Sequence, residues 1–211
     1  MFMVAVVSGC STAPIVAESG ATPTTTVESS PDSARQVAPI TDAAAVPQVA
    51  VDQVGAVPAA PSTPVRIEIP SIGVDSDLIG LGLQSDGTME VPFGGFPGGW
   101  YTGSPTPGEL GPSIIAGHVD WDGAPGIFYK LKDMSDGDTI TVTRQDGSRT
   151  VFVATDVQRY PKSNFPTDTV YGDIDHAGLR LITCGGAYDA GASSYDDNVI
   201  AFATLSQTLL P

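Results

Sequence analysis

From Pro64 onward the chain consists of short β-type runs cut apart by glycine- and proline-rich turns, with no long amphipathic helical repeat between them. VRIEI at 65–69 alternates apolar and polar residues, the period of a half-buried strand. Further runs stand at Met89–Val91, Ser113–Gly117, Thr139–Thr143, Thr150–Val157, Leu179–Thr183 and Val199–Leu205. SDG at 85–87, GGFPGG at 94–99, SPTPGELGP at 104–112 and QDGS at 145–148 supply the turns. Strands at this spacing predict an all-β barrel or sandwich. DTITVTRQDGSRTVFVATDV predicts a hairpin turning at Asp146-Gly147, and residues 124–132 and 168–171 each predict a helical turn or two.

The first third of the chain has little to offer such a core. Residues 3–92 contain no Phe, Trp or Tyr, and residues 11–62 are mostly Ala, Val, Pro, Thr and Ser. That composition buries too little apolar surface to offset the entropy of ordering, so residues 11–62 are expected to be a disordered tether ahead of a folded domain at 63–211. Residues 1–10 end in VVSGC, which resembles a bacterial lipobox with Cys10 as the lipidated residue. The apolar stretch before it is short and carries no Lys or Arg, so a truncated membrane anchor is the other reading of residues 1–10. Either places the protein outside the cytoplasm on the outer face of the cell membrane, touching the membrane only through the tether.

A formal charge of −15 disfavours phosphate backbones and anionic membrane surfaces, which excludes nucleic acid as a partner. Two cysteines make no disulfide framework, two histidines leave few zinc ligands, and no phosphate-binding glycine loop occurs. Nothing in the sequence requires a metal or other cofactor.

The residues that carry chemistry are His118, in SIIAGHVDW, and Cys184, in LRLITCGG. Each closes a β-type run, which puts both at one rim of the expected barrel. A thiolate beside an imidazole is the minimum equipment for acyl transfer: the ring favours the thiolate and later protonates the leaving amine. Taken by themselves, a buried structural cysteine and a surface histidine would read the same way.

The order of the two, histidine first, and the wider sequence around them add more. RIEIPSIGVDSDL, SDGTMEVP, GGWY, PGELGPSIIAGHVD, GIFYKLKDMSDGDTITV, FPTDTVYG, LRLITCGG and DDNVIAFATL resemble the class F sortases of actinobacteria, from about Pro64 to Leu205. The resemblance implies an eight-stranded sortase β-barrel with Cys184 as nucleophile and His118 as general acid/base. It implies LPxTG-like sorting-signal peptides of surface proteins as substrate and a peptidoglycan amine as acceptor. It also places the substrate groove beside QRYPKSNFPTDTVYGDIDHAG, where Pro161, Phe165 and Pro166 would form an apolar wall. Trp100 and Thr183 join them as substrate-contacting residues.

One family feature is missing. Sortases carry an arginine roughly a dozen residues after the cysteine, yet no Arg or Lys occurs from Cys184 to Pro211. SSYDDNVIA stands there instead. Losing an oxyanion donor typically costs about 10²–10³ in rate, and nearby carboxylates would raise the thiol pKa. Arg180, on the same strand face by the period of two, could replace it. Asn198 with the backbone N–H groups of Gly185-Gly186 is a second option, and Asp120 could orient the imidazole. The remaining readings are a sortase homologue that binds peptides with little or no turnover, and an exported cysteine hydrolase in which water outcompetes amines.

Overall fold

The computed structural model describes residues 56–211. Cys10 and the tether up to residue 55 lie outside the described residues. Ten strands run β1 Pro64–Ile69, β2 Val74–Leu81, β3 Gly98–Tyr101, β4 Gly111–Ala116, β5 Asp120–Trp121, β6 Ala124–Pro125, β7 Thr139–Arg144, β8 Arg149–Pro161, β9 Ala177–Asp189 and β10 Ser194–Leu209, with one short helix, α1, at Thr167–Tyr171. Eight of them close a barrel in the order β1-β2-β3-β4-β9-β10-β8-β7, while β5 and β6 form a small separate hairpin. The β2–β3 and β4–β9 pairs are parallel and the other pairs antiparallel. Among the described residues no helix is long and apolar enough to cross a membrane.

Side-chain alternation sorts the central strands into two apolar clusters. Ile115, Leu179, Leu181, Val199, Ala201 and Ala203 face the barrel interior with Phe128, Ile140 and Phe152. Their neighbours Ile114, Ala116, Ile182, Cys184 and Ile200 face outward into a second cluster with Leu81, Met89 and Val170 of α1. Strand β4 and the first nine residues of β9 are therefore buried throughout. This is why Ile114 and Ile115, and Leu181 and Ile182, stand as adjacent apolar pairs instead of alternating with polar residues. Phe152 is fully buried in the interior. Phe152→Ala is expected to cost about 3–5 kcal/mol of stability, read as a lower midpoint with an unchanged slope in denaturant unfolding.

Several elements differ from the sequence expectation. Met89–Val91 is not a strand; Met89 makes a single bridge to Leu83. Gly98–Tyr101 is one, despite two glycines, because a Cβ at Gly99 would strike Leu81 across the parallel pair. Within 124–132, Ala124–Pro125 is extended, and the expected turns form after it, at Gly126–Tyr129 and in the 3₁₀ turn at Leu131–Asp133.

The folded part also begins before residue 63. Ala59 N–H donates to Gly108 O at 2.7 Å, and Gln145 N–H to Thr63 O at 2.8 Å. The buried Arg144 guanidinium donates to Ala60 O at 2.7 Å and to Ser148 Oγ at 2.8 Å. Residues 59–63 thus form a strap clamped to the β7–β8 hairpin.

Candidate active site

Strand β4 pairs with β9 in parallel, with Ile115 opposite Leu181 and Ala116 opposite Ile182. Gly117 N–H donates to Ile182 O at 3.0 Å, so the ladder continues past the end of β4. Extending the register by two residues on each strand sets position 118 level with position 184. Neighbouring strands lie about 4.8 Å apart, so the topology alone brings the histidine and the cysteine together. Both are almost fully buried, at 2% and 1% exposure.

His118 is fixed from outside the barrel. Its Nε2 lies 2.8 Å from Pro92 O, and its ring meets Trp121 edge to face at 4.9 Å. A carbonyl only accepts, so Nε2 carries a hydrogen and, in the neutral ring, Nδ1 is the basic nitrogen. Phe93, 90% exposed, meets Trp121 edge to face at 5.6 Å.

Asn198 of β10 is the direct cross-strand partner of Cys184, and Tyr160 of β8 stands opposite Asn198 in turn. Asn198 is buried, and its Oδ1 meets no donor; Thr183 Oγ1 is likewise buried without a partner. Buried polar atoms normally find partners, and these two stand on the residue before Cys184 and on its cross-strand partner. After Cys184 the chain passes through a bulge, since Gly185 pairs with Asp197 but Tyr188 with Tyr195. Gly186 takes φ +83° there, and a Cβ on it would strike Asp197.

Cys184 opens on a cavity of about 420 Å³, lined also by Thr183, Gly185, Tyr195, Lys132 and Arg159. The Tyr195 hydroxyl donates to Asp120 Oδ2 at 2.5 Å. That bond ties the residue after the β9–β10 turn to the segment following His118. Arg159 Nε lies 3.2 Å from Asp197 Oδ2, so the acidic stretch is partly countered by a cation from β8.

A second cavity, about 370 Å³, runs along the outward face of β4 and is lined by Met89, Tyr101, Leu110, Ile114, Tyr171 and Ile174. Phe165 packs into the same outward cluster, 5.9 Å from the Tyr171 ring. Pro166 receives the first-turn N–H groups of Thr169 and Val170, and Pro161 pairs with Asp197 at the end of β8. Burial, with Tyr101 adding, pushes the Tyr171 phenol up to about 12, so Tyr171 stays uncharged there, while Asp173 lines the same cavity.

Two expected residues are elsewhere. Trp100 pairs with Ile115 and shares its inward side; its indole fills the barrel core and donates to Pro105 O at 3.1 Å. Its neighbour Tyr101 takes the outward place. Arg180 shares the face of Cys184, but its guanidinium stacks on Phe202 at 4.7 Å and donates to Leu179 O. The sequence reading missed Pro92, Trp121 and Tyr195, whose places around the histidine and the cavity depend on contacts between distant segments. Only the adjacency of Trp121 to His118 could have been noticed.

Comparison with protein families matches residues 67–206 to the sortase domain. Among solved structures, the chain is similar to sortase A of Listeria monocytogenes at 18% identity and a TM-score of 0.53, covering 71% of this chain and 90% of that one. It is similar to the sortase A of Actinomyces oris at 21% identity and 0.53, covering 75% and 89%. For a lid mutant of sortase A from Corynebacterium diphtheriae the values are 20% and 0.52, covering 70% and 72%. At these identities the likeness speaks for the fold. A search of curated proteins found no match.

Proposed function

The chain belongs to the sortase family, and from that premise we propose that it is a cysteine transpeptidase working through Cys184 and His118 on the outer surface of the cell. The observation that carries this reading is the β4–β9 register, which levels the histidine with the thiol while Asn198 faces the thiol from β10. In the first half-reaction the Cys184 sulfur attacks the threonine carbonyl of an LPxTG-like sorting signal. The carbonyl–nitrogen bond breaks, and His118 gives a proton to the departing glycine amine. In the second, a peptidoglycan amine attacks the thioester, the carbon–sulfur bond breaks, and the proton lost by the amine passes through His118 as the thiol is restored. The outward cavity at Tyr101 and Tyr171, flanked by Phe165, suits the Leu-Pro pair of such a signal.

Asn198 takes the part of the absent arginine. Its position as the cross-strand partner of Cys184 supports a role for its amide as donor to the developing oxyanion, together with the backbone N–H groups of Gly185 and Gly186. Arg180 is too committed to Phe202 to do so. Asn198→Ala is expected to lower the rate of thioacyl formation by about 10²–10³ with KM little changed, measured with saturating peptide.

The test of the whole reading is intact mass spectrometry of the full chain mixed with LPxTG-type peptide, with and without an amine. A thioacyl adduct on Cys184 and an amine-dependent product support transpeptidation. An adduct resolved at the same rate with and without amine replaces it with hydrolysis. Peptide binding with no adduct replaces it with a binding module, the reading that the missing arginine favours.

A further inference from the structure

Arg180 is 6% exposed, yet among the described residues no carboxylate lies within ion-pairing distance of it. Its Nη1 donates to Leu179 O at 3.1 Å, and its buried Nε meets no acceptor. Burial pulls its pKa below the ordinary value, with no opposing charge to restore it. Taking a guanidinium out of water without a counter-ion is costly. The described residues are rich in Asp and Glu, yet none of these lies within ion-pairing distance of this cation.

The guanidinium forms part of the wall of an open cavity of about 270 Å³ on the outward face of β8, β9 and β10. Thr169, Thr204 and Tyr160 line the same cavity, Thr155 beside them donates its hydroxyl to Phe202 O at 3.3 Å, and the Phe202 ring lies under Arg180. Position 180 lies four residues from Cys184 along β9, roughly 13 Å at the rise of a strand. This cavity is therefore separate from the one holding the thiol.

We propose that this cavity is a carboxylate-binding site in which Arg180 supplies the counter-charge and the threonine hydroxyls supply neutral donors. A flat guanidinium lying on an aromatic face presents N–H groups in one plane, the geometry that a planar carboxylate matches. Asp156, whose carboxylate accepts from Gln158 Nε2 at the rim of the cavity, repels a dianion more than a monoanion and so selects against phosphate. His176 at the same rim is exposed and paired with Asp175. The acid can belong to a peptide or to a small organic acid, and the site stands whether or not Cys184 forms a thioester.

The test is thermal unfolding of the full chain in acetate, in phosphate and in chloride at equal ionic strength, for the wild type and for Arg180→Met. Acetate is expected to raise the wild-type midpoint by about 2–4 °C over chloride. Arg180→Met is expected to be at least as stable as wild type in chloride, because it removes an unmatched charge, and to ignore acetate. A second measurement needs no variant: the Arg180 Nε–H resonance is expected to shift saturably with acetate and not with chloride. An acetate response that survives Arg180→Met, a phosphate response as large as that of acetate, or a resonance that does not move would overturn the site. A glutamate-bearing peptide that saturates the shift well below the acetate concentration identifies a peptide acid; equal concentrations identify a free one.

Discussion

A full chain carrying Cys184→Ala is expected to form no thioacyl adduct and to lose at least about 10⁴ of its transpeptidation rate. No second thiol lies among the described residues, and the alanine offers nothing to attack the threonine carbonyl. The substitution removes one buried sulfur from the outward cluster, so the barrel should unfold within a few degrees of wild type. That pairing of outcomes matters, because a variant that lost both activity and fold would say nothing about the thiol. Peptide affinity, read by anisotropy of a labelled LPxTG-type peptide, should be nearly unchanged, since the wall at Tyr101, Tyr171 and Phe165 is untouched.

The second large effect is expected at His118. His118→Gln is the informative change: the glutamine amide can keep the hydrogen bond to Pro92 O, while the basic nitrogen is lost. Adduct formation should fall by about 10²–10⁴, with the packing against Trp121 largely retained. If His118→Ala and His118→Gln fall equally, proton transfer accounts for the loss. If glutamine restores most of the rate, the ring serves to hold the Pro92 segment over the site, and another group must move the proton.

What could be read from the sequence follows physical lines. The β7–β8 hairpin was legible because its signal is local: Gly147 at φ +82° follows Asp146, and alternating runs flank the turn. The strands that carry His118 and Cys184 were legible for the opposite reason, as apolar runs buried on both faces. The GGWY strand was not legible, since glycine weakens a strand except where another chain segment presses close, and Leu81 does so from a segment remote in sequence. Trp100 was placed at the groove because family position says nothing about which face a side chain takes. Pairing with Ile115 turns it inward. The match between Cys184 and Asn198 needed a register that the bulge at Gly186 shifts, and residue counting alone left Asn198 as one option among several. Arg180 sits on the expected face, but no pattern in a single chain reveals that its guanidinium lies over an aromatic ring.

The strap at residues 59–63 has a mechanical consequence. It grips the turn between β7 and β8, the end of the barrel where β8 begins, whereas Cys184 and His118 lie where β8 ends beside Asp197. A pull applied at residue 59 would therefore enter at the end of the barrel remote from the thiol. It would meet the Ala59 bond to Gly108 first, then the Arg144 grip on Ala60, then the bond from Gln145 to Thr63. Each of these contacts would have to break before such a pull reached β4 and β9, which carry the histidine and the thiol.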